Sequence, residues 1–377
     1  MGTRNLEDHF ADRAVEVIDT VVIGGGQAGL AAGYHLAQRG RDFVILDANV
    51  RTGDNWRCHW DSLRLYSPAR LDGLPGMDFP LPGSSFPTKD EVAEFLAAYA
   101  AKFDLPVRTG TRVSRVARSG DGYVVECERT SFEARNVIVA TGTFGRAPHV
   151  PAESAQLDPA VVQLHSSEYR NPDQLAPGPV LVIGASHSGG DIALEVSRTH
   201  PTILCGRDTG ELPIRLEAGY MRLLFPLIWQ VWGHALSVRT PVGRKVRAKA
   251  RFHGAPMIRV KRADLEAAGV ERITERVTST RDGRPVLGEH GQVDVANVIW
   301  CTGFRHDYGW IEPSVIGDDG WPLESRGVVS SSPGLYFTGL SFQSSFRSML
   351  IGGAGADSAY VVRHLAAHRS VVERQTA

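Results

Sequence analysis

Two stretches of this sequence place glycines where a backbone could grip a phosphate. In TVVIGGGQAGLAAGYHL, positions 20–36, Gly24, Gly26 and Gly29 form G-x-G-x-x-G directly after a short β-branched run. The first glycine permits a tight turn, the second lets backbone approach a pyrophosphate, and the third lets a helix sit close on the strand. The helix that opens with Gln27 and Ala28 offers free N–H groups and a partial positive charge to an anion. Gly33, on the same helical face as Gly29, extends the close packing. About twenty residues further on, FVILDA reads as a second buried strand ending in Asp47, placed to accept hydrogen bonds from a ribose diol.

The pattern recurs in VLVIGASHSGGDIALEV, positions 180–196, with Gly184, Ser186 and Gly189, and with Ala193 in the place of Gly33. Serine in the middle position is small and is itself able to hydrogen-bond a phosphate. The strand after it, TILCGRD, ends with Arg207 where the first copy has Asp47. An acid there repels a 2′-phosphate, whereas a guanidinium forks onto it. The first site therefore suits a dinucleotide with a bare ribose and the second suits NADPH, unless Arg207 is only a solvated surface arginine. GASHSG also resembles a serine-hydrolase elbow, but Ser188 stands where G-x-S-x-G requires glycine.

Each glycine turn has a matching closing segment: NVIVATG, ending in Ala140, Thr141 and Gly142, and NVIWCTG, ending in Cys301, Thr302 and Gly303. Thr141 follows Gly24 by 117 positions and Thr302 follows Gly184 by 118. This predicts an α/β chain of two Rossmann-like, three-layer dinucleotide-binding units, one for FAD and one for NADPH. The expected boundaries are 1–149 for the first part of the FAD unit, 150–295 for an inserted NADPH unit, and 296–377 for the rest of the FAD unit. Proline-rich GRAPHVP marks the first crossing.

Composition is that of an ordinary globular protein. The chain has 377 residues, 42% hydrophobic and 22% charged, with a formal net charge of -1. That balance asks for no nucleic acid. The four cysteines are too scattered for a metal site, and no C-x-x-C exists for a dithiol relay. The acid-bearing N-terminus lacks an apolar core for a signal peptide, so a cytoplasmic protein is expected. Within an insertion at about 215–262, an apolar, aromatic stretch precedes RTPVGRKVRAKARFHGAPMIRVKR, which holds nine basic residues and no acid. Three readings stay open there: packing on the NADPH unit, a lid over an apolar substrate tunnel, or a membrane-surface patch. The first is preferred, and a membrane is not expected as a partner. The expected partners are O2 and a small-molecule substrate, with a homodimer left open.

GDNWRCHWDSLRLYSPARL, ATGTFGRAP, HSSEY, WCTGF and GLYFTGLSFQSSFRSMLIGGAGADSAYV together resemble the flavin-containing monooxygenases, close to the bacterial members and the plant indole-pyruvate monooxygenases. The resemblance covers nearly the whole chain. It implies a glutathione-reductase-like FAD domain with an inserted NADPH domain. It places Trp56, Arg57 and the segment from Leu63 to Pro68 along FAD, Val113 at the adenine, and Gly339 and Gln343 beside the flavin ring. A helix beginning near Ser345 would point its positive end at that ring. Ser186, His187 and Ser188 would touch NADPH phosphates, or His187 would merely fill its position. Ser67 and Gln343 are candidates for hydrogen-bonding the flavin or its oxygen adduct, or else loop-stabilising groups.

The implied reaction passes hydride from NADPH to FAD. An oxygen atom then goes through a C4a-hydroperoxyflavin to a nitrogen, sulfur or carbonyl-containing substrate. The alternative is a reductase or oxidase passing electrons to O2 or a partner protein. The chain departs from the family where Pro159 and Val161 replace the phenylalanine and glycine of a fingerprint that retains His165 and Tyr169. It departs again where Tyr66-Ser67-Pro68 replaces a segment bearing asparagine. These departures predict a short-lived oxygen adduct.

Overall fold

The computed structural model describes residues 14–143, 147–252, 254–312 and 314–375, with side chains to 367. The N-terminal stretch read for targeting ends inside β1, but its first thirteen residues lie outside the described residues, as do Gly145 and Arg146 of the proline-rich crossing.

From the N-terminus, the strand β1 (Ala14–Ile23) runs into α1 (Gln27–Ala37) and β2 (Phe43–Leu46). Then come α2 (Lys89–Lys102), β3 (Val107–Arg108), β4 (Val113–Ser119), β5 (Gly122–Cys127) and β6 (Thr130–Val139). Their sheet has the order β3-β2-β1-β6-β5-β4. β1 is parallel to both β2 and β6, and β4, β5 and β6 form an antiparallel meander. Alternation along the strands splits the core between two faces. Val22, Ile45 and Ile138 pack with Leu30 of α1 and Phe95 of α2, while Val21, Val44 and Val137 face Trp321 and Val329 on the other side. Helix α2 starts with a capping box in which Thr88 and Glu91 satisfy each other's backbone N–H groups.

A second sheet follows, built from β7 (Val162–His165), β8 (Val180–Ile183), β9 (Thr202–Cys205), β10 (Glu271–Ile273) and β11 (Asn297–Trp300). Its order is β10-β9-β8-β11-β7, parallel throughout. Helix α3 (His187–Val196) crosses from β8 to β9. It buries Ile192 and Val196 against Val180, Val182 and Ile299. Each such side chain removed from water contributes about 1.5–3 kcal/mol. The first sheet gains its last strand, β12 (Leu335–Phe337), only after the second is complete, parallel to β6. The final helix α6 (Ile351–Gln375) then packs on α1, where Ser358 Oγ donates to Ala28 O at 3.1 Å and shares a 3.0 Å bond with Thr338 Oγ1.

The insertion forms α4 (Met221–Gln230) and α5 (Pro241–Phe252); its last part packs on the second sheet's unit as expected, with Met257 and Val260 in that core, whereas its helices also reach the C-terminal segment. Arg247 and Arg251 of α5 both pair with Glu324, whose carboxylate is fully buried, at 2.7 and 3.1 Å. The Arg251 guanidinium also lies over the Trp321 ring at 4.2 Å. Between the helices, Val238 N donates to Ser344 O at 2.9 Å and Phe346 N to Leu236 O at 2.9 Å. The reason is electrostatic: a helix with no acid of its own docks where a buried carboxylate requires cations. The insertion thus straps the C-terminal segment 341–346.

Candidate active site: two glycine turns and the segments between them

The two turns are built on one plan. Gly24 and Gly184 have φ of +112° and +111°, a backbone only glycine adopts readily. A Cβ on Gly24 would lie 2.5 Å from Ala140 O, and one on Gly184 would lie 2.3 Å from Cys301 O. A Cβ on Gly29 would meet Gly24 O at 1.9 Å, and one on Gly189 would meet Gly184 O at 1.7 Å. Ala140 N donates to Ile23 O, and Cys301 N to Ile183 O, both at 2.8 Å. Gly142 and Gly303 both turn with positive φ, 72° and 80°, into open space.

At the first turn Gly26 is uncrowded: a Cβ there would meet only Asn55 Nδ2, at 3.4 Å. On the same rim the buried Asn55 Oδ1 and Thr141 Oγ1 have no hydrogen-bond partner. A backbone left open at the middle glycine and ringed by unpartnered polar atoms fits a dinucleotide's pyrophosphate. Asp47 closes β2, buried, with Oδ1 accepting from Asn49 N at 3.0 Å and Asn49 Nδ2 at 2.9 Å. Burial pushes its carboxyl above the usual range. Gly25, unmarked by the glycine pattern, proves necessary because a Cβ there would strike Asp47 Oδ2 at 2.5 Å. Thr111 N donates to Asp47 O at 2.8 Å, bringing the loop before the buried Val113 to the same edge.

The second turn is crossed by its own chain. Ser186 Oγ donates to Ala255 O at 2.7 Å, so the hydroxyl expected on a phosphate is committed elsewhere. It does not cap α3. Ser188 is partly exposed, on the first turn of the helix. Thr302 Oγ1 is likewise committed, to His149 O. His187 bonds the Pro256 backbone, and burial pulls its pKa down to about 4, so the ring is neutral near pH 7. Pro256 offers only a carbonyl, so the ring nitrogen facing it carries the proton. The buried Nε2, which has no partner, is then an acceptor, suited to a hydroxyl or amide rather than the phosphate expected from sequence. Arg207 stands exposed at the end of β9, without a hydrogen bond or ion pair among the described residues. Its neighbour Asp208 is paired to Arg262.

Between the turns runs the 56–72 segment. Trp56 Nε1 reaches Gln27 Oε1 at 3.4 Å, and Arg57 holds Thr52 O and Asp54. Leu63 departs from expectation: its side chain is buried with Trp60 and Tyr169 in the second sheet's core, because that is the apolar surface it faces. Tyr66 OH donates to Asp191 Oδ2 at 2.8 Å, across 125 positions, and its ring lies 4.9 Å from that of His187. Arg259 sits over Tyr66 and donates to Arg64 O and Leu65 O. Burial raises Asp191 to about 6. Ser67 Oγ donates to Asp72 Oδ1 at 2.6 Å. Asp72 is fully buried, its Oδ2 has no partner, and burial raises its pKa to about 7.

In the C-terminal segment, Gly339 lies against α1, where a Cβ would approach Ala28 Cβ to 2.6 Å. Gln343 is fully buried, its Nε2 donating to Phe337 O at 3.1 Å and its Oε1 accepting from Leu340 N at 3.3 Å. Both polar ends staple their own loop, the blander of the two roles expected for it. Ser345 precedes a single 3-10 turn, Phe346–Met349, and the long helix starts only at Ile351. The fingerprint departures fall outside the site. Pro159 is exposed in a turn whose Asp158 N donates to Gly283 O at 2.8 Å. His165, by contrast, bonds Gly303 O through Nε2 at 3.0 Å and so holds the second threonine-glycine turn.

Comparison with known proteins agrees with this geometry. A family model described as pyridine nucleotide-disulphide oxidoreductase matches residues 21–212. The chain is 35% identical over 365 residues to a CzcO-like uncharacterized oxidoreductase of Geobacillus kaustophilus, covering 93% of this chain and 99% of that one. It is 32% identical over 349 residues to the indole-3-pyruvate monooxygenase YUCCA1 of Oryza sativa, covering 85% and 84%. Among solved structures, the flavin-containing monooxygenase from Stenotrophomonas maltophilia superposes with a TM-score of 0.73 at 28% identity, over 94% of this chain and 99% of the other. No described helix is long and apolar enough to cross a membrane.

Proposed function

Because the chain belongs to the pyridine nucleotide-disulphide oxidoreductase family, we propose that this oxidoreductase is an NADPH-dependent FAD monooxygenase acting on a small nitrogen-, sulfur- or carbonyl-containing substrate. The carrying observation is the pair of superposable glycine turns, one ending in a buried Asp47 and the other in a free Arg207. In this reading the chain comprises two Rossmann-like units, with 150–295 inserted between 1–149 and 296–377.

FAD would be held at Gly24, Gly26 and Gly29, with Asn55 and Thr141 on its phosphates and Asp47 on its ribose. NADPH would be held at Gly184 and Gly189 by the N-terminal amides of α3, with Arg207 on the 2′-phosphate. When bound, the flavin supplies hydride acceptance and oxygen activation. The protein's own residues bind and exclude. The neutral His187, first residue of α3, would offer an acceptor to the bound dinucleotide, and Tyr66, clamped by Asp191 and Arg259, fixes the segment between the turns. The insertion, tied to Ser344 and Glu324, keeps water from the C-terminal side.

One observation favours a reductase or oxidase instead: Ser67 and Gln343 are both tied within their own loops, so neither presents an uncommitted group to an oxygen adduct. Labelled O2 separates the readings. With NADPH and a panel of amines, sulfides and keto acids, the monooxygenase puts label into a product. Peroxide matching the NADPH consumed, with no labelled product from any of them, establishes the oxidase.

A further inference from the structure

Helix α4 has two apolar faces, and only one is used by the fold. Met221 and Phe225 are buried with Leu216 and Ile258, beside Tyr66 and Phe86. On the other side, Tyr220, Leu223, Leu224, Leu227 and Val231 are 51%, 84%, 40%, 62% and 44% exposed. Their spacing follows the helical repeat and makes one continuous stripe. The charged residues within it and after it in the chain are of one sign, the exposed Glu217 just before it being paired to Arg259. From Ala218 to Ala263 the sequence has no acid, and Arg222, Arg239, Arg244 and Lys245 are exposed.

We propose that this face is a docking surface for an anionic lipid membrane. An apolar stripe with a basic border lies in the interface plane, leucines in the acyl boundary and cations at the headgroups. Such binding requires no membrane-spanning length, so the absence of a described helix long enough to cross a membrane is no obstacle to it. A second copy of the chain fits less well, because a twofold contact through the stripe would bring two acid-free basic borders together. The surface also lies on the helix whose inner face lines a cavity with Pro68, Phe86 and Leu216. A substrate dissolved in lipid would meet the protein there. The inference rests on the exposed helix and stands whichever reaction the flavin site performs.

The test is co-sedimentation of the FAD-loaded full chain with vesicles of phosphatidylcholine containing about 30% phosphatidylglycerol. Binding is expected to these vesicles and to be weak to phosphatidylcholine alone. The Leu223→Ser, Leu227→Ser double variant should lower it about tenfold, and Arg239→Glu with Lys245→Glu should lower it to a similar degree and remove its salt dependence. The substituted side chains are solvent-exposed, so melting temperature and flavin content should not move. Failure of the wild type to exceed the neutral-vesicle control overturns the proposal, as does binding indifferent to both double variants. A concentration-dependent dimer that the serine variant dissolves, without vesicle binding, assigns the face to a second copy.

Discussion

At the first turn the middle glycine is uncrowded and Thr141 carries an unpartnered hydroxyl, whereas at the second Ser186 is tied to Ala255 and Thr302 to His149. The backbone scaffold beneath is the same in both, down to the contacts that Gly29 and Gly189 make with the preceding turn. The difference teaches which residues serve the fold and which serve a ligand. Outer glycines are demanded by close backbone approach and are duplicated. The middle position and the residue closing the next strand are free to vary, and there the copies diverge. A turn left open and polar suits a resident cofactor, and one crossed by its own chain suits a dinucleotide that comes and goes.

The largest effects should fall where scaffold and ligand roles separate. Gly29→Ala places a methyl 1.9 Å from Gly24 O, and Gly189→Ala places one 1.7 Å from Gly184 O. Each should destabilise the protein by about 3 kcal/mol or more. Gly26→Val instead meets only Asn55 at the β-carbon, with extended backbone at φ -79°. It should fold normally yet purify colourless, checked by flavin absorbance beside a denaturation curve. Equal loss of stability in Gly26→Val and Gly29→Ala would erase the distinction.

Buried ionisable groups also differ between the two sides. Beside the first, Asp72 is raised to about 7 by burial, and the second holds His187 lowered to about 4. A raised carboxyl favours the protonated folded state, so its contribution is complete below the ordinary aspartate value and is lost as pH climbs through about 7. With about three pKa units at 1.36 kcal/mol each, the upper bound is about 4 kcal/mol, and relaxation brings the expected loss to roughly 2–3 kcal/mol. The lowered His187 and His59 add stability as pH rises through part of the same range, so the readout is the difference between Asp72→Asn and wild type, which should change by that amount between about pH 4 and about pH 8 in denaturant unfolding. A difference flat over that window would mean that burial does not raise the Asp72 carboxyl in the folded protein.

Local spacing made much of this legible. Strand, glycine turn, helix and closing threonine-glycine are short-range patterns, and both sheets carry them where the repeat at 117 and 118 positions put them. What stayed hidden depends on partners distant in sequence. Nothing near Tyr66 announces Asp191, and nothing near Ser186 announces that Ala255 O will accept its hydrogen bond. Leu63 reads as part of a cofactor segment until the Tyr169 side chain arrives beside it. Gly25 was readable in principle, since three consecutive glycines exceed what G-x-G-x-x-G needs, but its reason is the carboxylate of Asp47 across the turn. The basic insertion found its place through Glu324, a single buried acid beyond the reach of pattern.

The smallest and sharpest test is just past the ends of the two strands: Ile23 pairs with Leu46 as Ile183 pairs with Cys205, so Asp47 matches Gly206 and Arg207, of opposite charge, stands one position further on than the sequence repeat suggested. Asp47 is held by Asn49 and the Gly25 backbone, so its orientation is fixed before any ligand arrives. Arg207 has no partner among the described residues, so pairing it with a 2′-phosphate disrupts no existing bond. Because the guanidinium is exposed, solvent and salt weaken the contact, and the expected contribution is about 1.5 kcal/mol, roughly tenfold in kcat/KM. Arg207→Ala should therefore lose about tenfold with NADPH while NADH turnover stays nearly constant, and the wild-type preference should shrink as ionic strength rises. If the alanine variant keeps the NADPH preference, another cation reads the phosphate. Two other cations stand at that strand end: Arg272, whose guanidinium donates to Gly206 O at 2.6 Å, and Arg262, whose ion pair with Asp208 would have to open.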